Sequence, residues 1–96
     1  MRLPEPLLVT IKQVLSDAVD VESLWLFGSR VDDNKRGGDI DLYLEPKQRL
    51  SYPDMIRLES RLNNSCGEKV DLLVKNPDEP MTTIQKIALE TGVRLI

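Results

Sequence analysis

Ninety-six residues allow one domain, expected over residues 1–96, with little spare mass for a separate substrate lid or a second lobe. Apolar residues make up 41% and charged residues 30%; 13 basic against 16 acidic side chains give a net charge of −3, which argues against a dedicated nucleic-acid binder with its basic face. The lone cysteine, Cys66, rules out an internal disulfide, and the lack of histidine rules out His-based zinc sites and histidine general bases.

The N-terminus lacks a signal-peptide pattern, and no apolar run approaches the ~20 residues that span a bilayer. The expected setting is therefore the cytoplasm, with no membrane partner. Any metal would be held mainly by carboxylates, and such hard oxygen ligands favour magnesium or manganese.

In chain order the pattern predicts helix, strand, loop, strand, helix, strand, helix, strand. Residues 5–19 carry Leu7, Leu8, Ile11, Val14, Leu15 and Ala18 at the spacing of an amphipathic helix. Pro4 and Pro6 suit its first turn. Residues 22–27 form a short, largely apolar run ending at Gly28, which reads as a buried strand with Trp25 and Phe27 in the core. Residues 30–38 are polar, end in Gly37-Gly38, and read as a helical turn or loop in which Lys35 and Arg36 are expected to be solvated, the alternative being phosphate contact by Arg30, Lys35 and Arg36.

Residues 39–44 alternate strictly. Ile40, Leu42 and Leu44 share one face, and Asp39, Asp41 and Tyr43 the other. Tyr43 is expected either as an exposed sheet residue or against a nucleotide base. Residues 52–65 carry Met55, Ile56, Leu58 and Leu62 at helical spacing, with Ser51 placed to cap the start and Gly67 the end. Cys66 is expected to pack as a small apolar residue, and Arg57, Glu59 and Arg61 to form a solvated face. Lys69 to Lys75 is a second alternating segment that places Asp71 opposite Val70 and Leu72. Thr82 or Thr83 can cap a last helix with Ile84, Ile87, Ala88 and Leu89, ended by Gly92, and Val93–Ile96 can close the sheet.

The aspartates carry the chemistry. Aspartate is depleted in strands, yet Asp39, Asp41 and Asp71 fall in the two clearest strand patterns. Asp39 and Asp41 point to one face ~7 Å apart, and a paired strand would bring Asp71 within ~5 Å. Carboxylates so close repel when ionised, and divalent cations relieve that repulsion. Gly28 follows a strand and lets backbone N–H groups approach a ligand, while Ser29 adds a hydroxyl. Phosphoryl transfer is mostly positioning and charge neutralisation, so the lack of histidine is no obstacle. The bland alternative for Asp39 and Asp41 alone is the solvent face of a half-buried strand. Gly28-Ser29 upstream and Asp71 downstream count against it.

Leu26-Phe27-Gly28-Ser29-Arg30 followed by Asp39-Ile40-Asp41-Leu42 resembles the signature of the DNA polymerase beta-type nucleotidyltransferase superfamily. Val70–Val74 is similar to its strand bearing a third carboxylate, and Ala88–Ile96 to its usual ending. The short length resembles the minimal branch, the MNT antitoxins that pair with HEPN-domain toxins. The resemblance implies an α/β (α+β) fold, a small mixed β-sheet with helices packed mainly on one face. It also implies an enzyme using ATP and two magnesium ions, with manganese as substitute, to transfer AMP to a tyrosine of a HEPN toxin. Carried over, Asp39, Asp41 and Asp71 are the catalytic metal ligands, and Gly28, Ser29 and Arg30 the nucleotide-binding residues. Gly38 stands where the family usually has serine. No direct contact with nucleic acid is expected. A second reading is a catalytically idle nucleotide-binding module that neutralises a partner by complex formation.

Overall fold

α1 (Glu5–Ala18) begins behind Pro4 with Pro6 in its first turn, and buries Ile11, Val14 and Leu15 on one stripe. β1 (Val21–Phe27) runs into a 3-10 turn over Gly28–Val31, and β2 (Ile40–Pro46) returns beside it. α2 (Tyr52–Cys66) is capped by Ser51, whose hydroxyl accepts from Asp54 N–H at 3.2 Å, and ends at Gly67 in the left-handed region, φ 66°. β3 (Val70–Val74), α3 (Thr83–Thr91) and the short β4 (Val93–Arg94) complete the chain. Thr82 caps α3 in a reciprocal box with Gln85. The computed structural model describes residues 2–32 and 38–96, so the expected loop positions Lys35, Arg36 and Gly37 lie outside the described residues.

The four strands are ordered β3-β2-β1-β4. β1 is antiparallel to β2 and β4, and β2 is parallel to β3, so the sheet is mixed as expected. Strand alternation divides it into two faces. On one, Leu24, Leu26, Ile40, Leu42, Leu44 and Val70 are at most 1% exposed. They pack with Ile11, Val14 and Leu15 of α1 and Leu58 and Leu62 of α2. Each such side chain contributes about 1.5–3 kcal/mol on burial, so this layer holds the sheet to its helices. α3 packs against β1, and its Ile84 borders a cavity with Phe27, Asp41, Asp71 and Leu73, which places it on the other face. Two of the three helices thus cover one face.

β3 is a sheet edge, and α2 closes it. The Asn63 side chain accepts from Val70 N–H at 2.9 Å and donates to Val70 O at 2.8 Å, while Glu59 accepts from Leu72 N–H at 2.8 Å. Three of the backbone groups that an edge would leave open are thus satisfied by side chains. Glu59 is therefore not simply part of a solvated face; Arg57 and Arg61 are exposed as expected.

Several expectations change. Trp25 and Phe27 are only half-buried and stand outside the apolar core, because alternation turns them onto the aspartate face. Tyr43 is fully buried there and donates to Glu45 Oε2 at 2.6 Å, so it is neither exposed nor open to a base. Ile56, Ile84 and Ile87 are 50–54% exposed, whereas Gln85 and Ala88 are the buried positions of α3. The capping box fixes the rotation of that helix and turns Gln85 inward. Cys66 packs against the core as expected. Among the described residues no helix is long and apolar enough to cross a membrane.

Candidate active site

The face opposite the apolar layer is built in cross-strand rows. Phe27, Asp41 and Asp71 are paired in register across β1, β2 and β3. The next row is Arg94, Trp25, Tyr43 and Leu73, and beyond it Ser23 pairs with Glu45. One position the other way, Asp39 precedes β2 and Lys69 precedes β3, with Ile40 N–H donating to Lys69 O at 3.0 Å. The structure therefore brings Asp39, Asp41 and Asp71 onto one end of one face.

The Gly28–Val31 turn lies over this end. Gly28 has φ 75°, and a Cβ there would collide with Asp41 Oδ2. Only glycine lets the turn backbone lie against that carboxylate. Gly38 has φ 91°, and its missing Cβ makes room for Ser29 Oγ. A serine in this conformation would be strained and would displace the Ser29 hydroxyl. Gly38 is thus fitted to the turn rather than a loss at it.

Arg30 holds the turn from within. Its guanidinium donates to Gly38 O at 3.2 Å and Arg2 O at 3.1 Å, and pairs with Glu68. The side chain is only 12% exposed, so it presents little free surface to a ligand. Arg2 strengthens the brace: its side chain donates to Ser29 O at 3.0 Å and Asp32 O at 2.9 Å, and its backbone N–H to Arg30 O at 2.7 Å. Nothing in the sequence marked Arg2, because its partners lie 27 and 30 residues away.

The carboxylates are electrostatically crowded. Burial pushes the Asp41 carboxyl above the usual aspartate range, and Asp71 and Asp39 push it further; Lys69 works the other way. Lys69 Nζ lies 3.6 Å from Asp39 Oδ2 and 4.0 Å from Asp71 Oδ1. Among the described residues no three acidic side chains converge on one point as a finished metal cage. The donor set nevertheless fits a hard divalent cation: three oxygen-bearing carboxylates on one face, repulsion at Asp41 only partly offset by Lys69, and that ammonium already drawn between the other two. Beside them a cavity of about 430 Å³ is lined by Phe27, Asp41, Glu59, Asp71, Leu73 and Ile84, among others. It mixes apolar walls with carboxylates at one end.

This fold and carboxylate arrangement belong to a known class. The chain matches the family described as polymerase beta, nucleotidyltransferase, over residues 9–96. It is a member of that family, and its fold is the polymerase beta-like nucleotidyltransferase fold. It is 35% identical over 66 residues to the putative protein adenylyltransferase of Methanocaldococcus jannaschii, covering 68% of this chain and 67% of that one. A chain from a solved structure of a tri-AMPylated Shewanella oneidensis HEPN toxin in complex with MNT antitoxin superimposes with TM-score 0.77 at 20% identity, over 96% of this chain and 71% of that one. A chain from a toxin-antitoxin structure with AMP-PNP superimposes with TM-score 0.80 at 21% identity, over 93% of this chain and 72% of that one. At such identities the superpositions speak to the fold.

Proposed function

We propose that this chain is a metal-dependent protein adenylyltransferase that transfers AMP from ATP to a tyrosine hydroxyl of a partner HEPN toxin in the cytoplasm, and is the antitoxin of that pair. The observation that carries the reading is the register of Asp41 against Asp71, with Asp39 two residues ahead of Asp41 and the Gly28 turn in contact with Asp41. The family, the name of the archaeal relative and the AMPylated toxin in the neighbouring complex support the acceptor class.

Asp39, Asp41 and Asp71 would hold two magnesium ions, for which manganese would substitute. Bound there, the ions would neutralise the carboxylates and the triphosphate, favour ionisation of the acceptor hydroxyl and stabilise the leaving pyrophosphate. Backbone N–H groups of the Gly28-Ser29 turn and the Ser29 hydroxyl bind phosphate oxygens. Arg30 serves the same site by holding the turn through Gly38, Arg2 and Glu68. The tyrosine oxygen attacks the α-phosphorus, the bond to the bridging oxygen breaks, pyrophosphate leaves, and the phenolic proton passes to Asp71.

The test is incubation with α-labelled ATP, magnesium and the co-expressed partner. Label on a partner tyrosine that disappears with Asp39→Ala plus Asp41→Ala is the expected result. Partner neutralisation without label, and unchanged in the double variant, would support the idle-module reading instead.

A further inference from the structure

We propose that Lys69 is a tethered counter-ion of the carboxylate cluster, whose ammonium bridges Asp39 and Asp71 in the metal-free protein and competes with the divalent cation for them, so that it sets metal affinity. The proposal rests on the reading of these aspartates as metal ligands.

Backbone register puts Lys69 there. Ile40 pairs with Val70, so Lys69 falls opposite Asp39, and alternation sends its side chain to the same face as Asp71, two residues on. The two contacts, 3.6 and 4.0 Å, are longer than a hydrogen bond. They are charge contacts made by a stem that is 67% exposed. Such a contact is cheap to break, and an ammonium on a flexible chain can swing into water without leaving a buried charge unpaired. The neighbouring acid, Glu68, is already paired with Arg30, and among the described residues Lys69 meets Asp39 and Asp71. A divalent cation on the same oxygens would stand within a few ångströms of the ammonium, and the two positive charges repel. One must yield, and the mobile one is the lysine. Its presence lets the cluster fold without metal; its departure accompanies loading.

The experiment follows the free manganese signal by electron paramagnetic resonance, with the full chain alone and with a non-hydrolysable ATP analogue. In low salt Lys69→Met is expected to bind manganese about threefold to tenfold more tightly than wild type, the range set by two exposed ion pairs. Lys69→Arg should stay within about twofold, because it keeps the charge, and the gap should close in about 0.5 M KCl. Lys86→Met, which removes a positive charge from α3, controls for net charge. The metal-free Lys69→Met protein should also melt a few degrees lower. Equal or weaker manganese binding by Lys69→Met overturns the proposal, as does an equal gain in Lys86→Met. Wild-type binding that survives Asp39→Ala plus Asp41→Ala would instead overturn the site reading, and the proposal with it. Binding lost in that double variant but unchanged in Lys69→Met would overturn the proposal alone.

Discussion

The two ends of one sheet face handle acidic side chains in opposite ways. At the far end Glu45 is saturated: Ser23 Oγ donates to Oε1 at 3.1 Å, the Tyr43 hydroxyl donates to Oε2 at 2.6 Å, and Trp25 Nε1 donates to Ser23 Oγ at 3.2 Å. Arg94 lies over the Trp25 ring, 5.7 Å from its centroid. At the near end Asp41 is crowded by Asp71 and Asp39, with one loose lysine in compensation. A saturated network stabilises a fold. An unsaturated one costs stability and persists where something else is meant to complete it. The contrast lies within two strands and sets the aspartate end apart without reference to any relative.

Breaking the crowded end should abolish chemistry and leave the fold intact. Asp39→Ala plus Asp41→Ala is expected to lower AMP transfer on the order of 10³-fold or more, since several kcal/mol of charge stabilisation would be lost, with circular dichroism unchanged. Filling the turn should act next most strongly. Gly28→Ala places a Cβ against Asp41 in a left-handed backbone and should reduce transfer by about 10- to 100-fold, with a Tm loss of several degrees.

Breaking the saturated end should do the reverse. Glu45→Ala strands the Tyr43 and Ser23 hydroxyls and should cost about 1–3 kcal/mol in urea unfolding, with transfer at low temperature retained. A smaller effect sharpens the comparison. Asp41 is held above its unfolded range, so the metal-free folded state keeps its proton longer than the unfolded chain does. Stability is therefore present below the usual aspartate range and falls as pH rises through it toward the raised folded value. Asp41→Asn removes this loss. Metal-free Asp41→Asn should melt a few degrees above wild type at pH 7, and the difference should vanish near pH 3. An identical melt at both pH values would mean the crowding is not felt.

Much of this was legible beforehand for a physical reason. Period-two alternation put Asp41 and Asp71 in strands, and the glycines marked where backbone had to come close. Ser51, Gly67 and Thr82 announced helix ends through local hydrogen bonding that needs no tertiary knowledge. Contacts distant in sequence stayed hidden. Arg2 reaching Ser29, Glu68 reaching Arg30 and Glu59 reaching Leu72 leave no periodic trace. Trp25 misled because an apolar side chain looks the same on either face of a sheet; Tyr43 was on the expected face, but its burial there, with its hydroxyl on Glu45, left no trace in the alternation. Lys69 was readable in principle, since the alternation that placed Asp71 also places it.

Asn63 on α2 carries a wider consequence. Its amide holds Val70 by both backbone groups, and Val70 is the residue opposite Ile40. If β3 docked one residue out of step, Asp71 would turn into the apolar layer and Leu72 would face the turn. The product would still be compact, with the same helices and a strand in the same place, yet without a third carboxylate. Asn63 thus ties β3 to the register that keeps Asp71 beside Asp41. Loss of that amide should yield a mixture of competent and inert molecules of one size, told apart by titrating active sites rather than by any measure of shape.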